Sequence, residues 1–174
     1  MKRIMGLFLG LIALVSIQSC ESNRKANNYN GVATDNTNVQ FVKNAAELSM
    51  TNVKASGLAI SNSKNQQVVQ FAKAMITDYT QLNDELKKLK LDTTAVDTIV
   101  GEHQLILDSL GMLHAAQFDK SYMQLMISNH EKQVSSFRAA SQDKNTPVAD
   151  FAKKITPALN VRLDSARVIN NSLK

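Results

Sequence analysis

The chain predicts an all-α fold of four long antiparallel helices and one shorter helix, and three observations predict it. Apolar residues recur at spacings of three and four over long stretches, the signature of amphipathic helices that bury one face. The composition is rich in helix formers and poor in breakers, with two prolines, six glycines and no tryptophan in 174 residues. No stretch alternates with the period of two that a half-buried strand requires. The length suits one domain with a substantial core.

Each element has its own pattern. Lys2 and Arg3 precede the apolar run Ile4–Ile17, which is shorter than the ~20 residues a membrane-spanning helix needs. A positive start, a short apolar stretch and a small residue before a cut describe a secretory signal peptide over 1–19. The only cysteine, Cys20, follows directly. That placement resembles a bacterial lipoprotein signal, with Ile17-Gln18-Ser19-Cys20 as the lipobox; Gln18 is larger, and Ile17 less common, than the usual residues there. The resemblance implies that Cys20 is lipidated and becomes the mature N-terminus. With one cysteine there is no intrachain disulfide and no cysteine-based metal site.

Residues 20–36 comprise Cys20 and the polar, asparagine-rich Glu21–Asn36, which lacks periodicity and reads as a flexible tether. The bundle domain is expected over 37–174. Asn38 can cap a first helix whose inward arc holds Phe41, Val42, Ala45, Ala46, Leu48, Val53, Ala55, Ala59 and Ile60, ending at Ser61-Asn62-Ser63. The second helix carries Val68, Phe71, Ala72, Met75, Tyr79, Leu82 and Leu86 to about Leu89. Asp92-Thr93-Thr94 marks a loop and cap, and a shorter helix runs from about Ala95 to Leu110, closed by Gly111.

The next helix, Phe118–Ser141, places Phe118, Tyr122, Met123, Met126, Ile127, Val134 and Phe137 on one face, with His130 in their midst. A polar ring there needs a partner, because an unpaired buried polar group costs about 1–3 kcal/mol. Thr146 and Pro147 open the last helix, and Pro157 is expected to kink it.

Charge and motifs exclude several functions. Removing Lys2 and Arg3 lowers the formal charge from +5 to +3, with no basic run interleaved with aromatics, so nucleic acid is not an expected partner. The paired Glu-x-x-His motifs of a di-metal bundle are absent, as are His-Glu-x-x-His, a phosphate-cradling glycine loop and a Gly-x-Ser-x-Gly elbow. His103 beside Glu102, and His114 near Asp119, read as surface histidines. Met75, Met123 and Met126 read as core filler.

The order Phe41-Val42, Ala45-Ala46, Phe71-Ala72, Met75, Asp78, Glu102-His103-Gln104, Phe118-Asp119, Tyr122, His130, Phe137, Pro157, Leu159, Leu163 and Ala166 resembles the domain of unknown function numbered four-one-four-two. That family comprises helical bundles of the outer membrane or periplasm similar to ferritin-like folds, and the resemblance implies location and architecture without an activity. Where the family commonly has Glu, this chain has Asn52; where it has His after Asp, this chain has Tyr79; where it has His after Pro-x-x-x-x, this chain has Arg162. His130 stands as the family has it. Asn52, Tyr79, His130 and Arg162 are therefore expected to form a neutral core polar cluster in which Tyr79 or Asn52 reaches the imidazole and Arg162 turns towards the rim. No metal or other cofactor is expected there, since a guanidinium has no lone pair and repels cations.

The function expected is a non-catalytic interaction or structural module, anchored through Cys20 to the bacterial envelope as an outer-membrane lipoprotein facing the periplasm, with an envelope protein as partner. The alternative is a metal-binding or redox protein of ferritin-like descent. A further option is a pocket in which Arg162 receives an acidic small ligand.

Overall fold

A computed structural model describes residues 22–91, 99, 101–144 and 146–173, with side-chain environments for those from residue 36 onward except 146. The expected signal peptide, Cys20, the Asp92-Thr93-Thr94 cap and most of 95–100 lie outside the described residues. The helices are α1 (Ser22–Asn62), α2 (Gln66–Lys88), α3 (Glu102–Gly111), α4 (Ala115–Ala140) and α5 (Thr146–Ser172). Four are long and α3 is short, and no strand occurs among the described residues.

Side-chain meetings give the arrangement. Along α1 and α4, Phe41 meets Phe137, Asn52 meets Asn129 and Ser56 meets Tyr122, so the two run antiparallel. Along α4 and α5, Phe137 meets Phe151 and Glu131 meets Arg167, again antiparallel. Along α2 and α5 the pairs are Gln67–Ser172, Asp78–Arg162 and Glu85–Lys154. The ring order is thus α1, α2, α5, α4, with every neighbour antiparallel. A tight turn joins α1 to α2 and another joins α4 to α5, which makes two hairpins. One long connection carries the chain from the end of α2 back along the bundle to the start of α4. It contains α3, which lies against α1 through His103 Nδ1 and Glu47 Oε1 at 2.9 Å. Asn62 Nδ2 fastens the end of α1 to this connection by donating to the carbonyls of Gly111 (3.2 Å) and Leu113 (2.8 Å).

The core follows the apolar arcs. Phe118, Tyr122, Met123, Met126 and Phe137 of α4 are fully buried, as are Met75 and Ala72 of α2. Ile127 is only partly buried.

The described elements differ from expectation at several points. Helix α1 begins at Ser22, so the polar segment expected as a tether has helical backbone to its end. No proline precedes Asn38 to stop the helix, and backbone hydrogen bonds within a helix need no apolar face. Asn38 is consequently an interior helical residue, buried with its Nδ2 unpartnered, rather than a cap. Helix α3 begins at Glu102, because Gly101 before it adopts φ 60° and ψ −131°, a conformation outside the helical region. Ile60, assigned to the inward arc of α1, is 45% exposed. Small polar residues fill that stripe instead: Ser49, Thr51, Asn52 and Ser56 are buried, and Ser49 donates to the Ala45 carbonyl at 2.7 Å. Helix α5 runs without interruption through Pro157.

Candidate functional site

Polar side chains gather at one level of the bundle core. Tyr79 of α2 and His130 of α4 are both buried, with the phenol oxygen 3.1 Å from His130 Nε2. His130 Nδ1 lies 2.7 Å from the Met126 carbonyl, one turn back on its own helix. A carbonyl only accepts, so Nδ1 carries a hydrogen, and in the neutral ring Nε2 offers a lone pair towards Tyr79. The Tyr79 hydroxyl also stands 2.6 Å from Gln133 Oε1. From α1, Asn52 Oδ1 accepts from Asn129 Nδ2 at 2.7 Å, while Asn52 Nδ2 has no partner. One turn further along α1, the Ser56 and Tyr122 hydroxyls meet at 2.8 Å.

Burial shapes the electrostatics. Loss of solvent drives the Tyr79 phenol far above its ordinary range; the Asn52 amide acts in the opposite direction, and Asp78 adds to the rise. Desolvation likewise holds the His130 imidazole below its ordinary value; the Met126 carbonyl and Asp78 oppose this and Arg162 reinforces it. Both groups are therefore neutral at pH 7.

Above this layer, the α2–α5 side of the ring is open. A cleft of about 630 Å³ lies between these helices, with Met75, Leu82, Ile155 and Leu159 among its walls and Tyr79 and His130 reaching it from below. Two ion pairs cross it: Arg162 Nε donates to Asp78 Oδ2 at 2.5 Å, and Lys154 Nζ donates to Glu85 Oε2 at 2.8 Å. The Arg162 and Asp78 side chains are 35% and 37% exposed.

The four residues expected to cluster are thus divided. Tyr79 and His130 touch; Asn52 sits beside Tyr79 but bonds Asn129; Arg162 lies at the cleft mouth with Asp78. Gln133 and Asn129 complete the layer and were not anticipated. Gln133 lies three residues after His130 and so shares its helix face; a polar residue in that seam was the available signal. Among the described residues no three His, Cys, Asp or Glu side chains come together as a metal-holding group.

The profile of the family named Domain of unknown function (DUF4142) matches residues 23–169. The chain belongs to this family. Two solved structures share its fold. A DUF305 fragment from Deinococcus radiodurans superposes with a TM-score of 0.70 at 15% identity, covering 79% of this chain and 97% of its own. A DUF305 protein of Streptomyces coelicolor, provisionally named as secreted, superposes with a TM-score of 0.64 at 13% identity, covering 76% of this chain and 90% of its own. Among curated proteins nothing matches. The resemblance read from the residue order and the family match therefore agree, and the DUF305 neighbours are likewise helical.

Proposed function

We propose that this member of the DUF4142 family is a lipid-anchored protein of the bacterial envelope whose bundle serves as a non-catalytic interaction or structural module. The observation that carries the reading is the position of Cys20, the only cysteine, directly behind a basic start and a short apolar run. In this reading residues 1–19 are removed, 20–36 link the lipid to the body, and 37–174 form the working domain on the periplasmic side of the outer membrane. Two features fit. No described helix is long and apolar enough to cross a membrane, and one structural neighbour bears a secreted name. The partner is then another envelope protein. Cys20→Ser is expected to abolish incorporation of labelled fatty acid and to release the protein from envelopes; retention of label would overturn the anchor. Crosslinking in intact envelopes, followed by isolation of the full-length protein, tests for the partner.

The second reading, a metal-binding or redox protein of ferritin-like descent, is favoured by the connectivity, since two hairpins joined by one long crossover is the arrangement of ferritin-like bundles. Metal analysis of protein purified without chelators separates the two, because stoichiometric iron, manganese or zinc supports only the second.

A further inference from the structure

We propose that the α2–α5 cleft is a binding site for a small organic carboxylate with an apolar tail, its head held by Arg162. The inference is independent of how the chain is anchored.

The cleft has the size of a small-molecule site, about 630 Å³. Its walls are mainly apolar: Met75 and Leu82 stand on the α2 side, Ile155 and Leu159 on the α5 side. Such a surface gains from covering a hydrocarbon body. At the mouth, the Arg162 guanidinium is bound by Asp78 through Nε alone. Its two terminal nitrogens take no bond from the described residues and present the fork that matches a carboxylate with two parallel hydrogen bonds. Asp78 holds that fork in place from α2. Its opposing charge is shared with solvent, since the pair is more than a third exposed. Lys154, tied to Glu85 further along the cleft, adds a second cation. The buried layer beneath is neutral, so nothing in the floor repels an anion or draws in a cation. An anionic head with an uncharged tail is the chemistry that satisfies both parts of the cleft.

The probe is hexanoate, added to the full-length protein in a neutral detergent, with melting temperature and the side-chain signals of ¹⁵N-arginine-labelled protein as readouts. Hexanoate is expected to raise the melting temperature and shift the Arg162 signal. Shortening the tail towards acetate should weaken binding by up to roughly fourfold per methylene. Arg162→Met, which keeps the apolar stem, is expected to weaken hexanoate binding about tenfold or more. The melting temperature of that variant without ligand verifies that it folds, and the variant also serves as the blank for partition into detergent. Equal binding of hexanoate by Arg162→Met overturns the proposal. So does an equal response to hexylammonium, which makes the cleft an apolar cavity without charge selection, or no response to any of the three probes.

Discussion

The Tyr79 hydroxyl carries one hydrogen and stands between two acceptors. Donated to Gln133 Oε1, it leaves the His130 Nε2 lone pair without a donor, and Gln133 Nε2 is buried with no partner. Turning the Gln133 amide about resolves both: its nitrogen donates to the phenol oxygen, the phenol donates to Nε2, and Nδ1–H donates to Met126. The two orientations differ only in which amide atom faces the phenol. Tyr79→Phe removes the link in either, and is expected to destabilise the fold by about 1–3 kcal/mol in urea titration. The pH dependence has a definite sign. His130 is held below its ordinary value near 6.5 in the folded state, so the unfolded chain takes up the proton first. Stability is then expected to fall as pH drops through the unfolded value and to level off once pH passes below the folded one. His130→Gln should remove that component of a urea-midpoint profile between pH 7 and 5. Which polar residues meet was only partly legible in the sequence. Helical phase places Tyr79 and His130 inward, but it does not align one helix against another. Asn129 as the partner of Asn52, and Asp78 as the partner of Arg162, depend on the register between helices, and no local pattern encodes it.

At the scale of elements, the ends decide more than the middles. Asn65 caps α2, its Oδ1 accepting from the backbone N–H of Gln67 (2.9 Å) and Val68 (3.4 Å). Asn65→Ala is expected to lower stability by about 1 kcal/mol, read from the melting curve. Gly101 stands where a side chain is strained, at φ 60° and ψ −131°. Gly101→Ala is expected to cost about 1–3 kcal/mol and to raise amide exchange at the start of α3, although a Cβ there meets no neighbouring atom. The interiors of α2, α4 and α5 were legible because their burial repeats at the helical period. The start of α1 was not, because a helix can continue past its apolar stripe, where the periodicity that reveals it has stopped. The start of α3 was hidden for a related reason: Ile99 is buried and keeps the apolar rhythm, whereas the backbone has already turned at Gly101.

At the scale of the molecule, the ring of antiparallel neighbours follows from hairpin turns too short for anything else and from one connection long enough to return along the bundle. The all-α class was legible in the periodicity. The ring order was not, since which helices are neighbours is decided by the route of the α3 connection. Residues 23–34 are mainly polar and asparagine-rich, with little apolar surface that a core could bury. Deleting residues 23–34 is accordingly expected to leave the melting temperature nearly unchanged; a clear drop would show that this segment packs on the body.

The division into two hairpins has a kinetic consequence. Contacts within α1–α2 and within α4–α5 join residues close in sequence, so little chain entropy opposes their formation. Docking one hairpin on the other must align Asn52 with Asn129 and Tyr79 with His130, pairs separated by 77 and 51 residues. Those pairs are expected to form after the rate-limiting barrier. Asn129→Ala should then accelerate unfolding while leaving the refolding rate almost unchanged, whereas Ala72→Gly, within the first hairpin, should slow refolding.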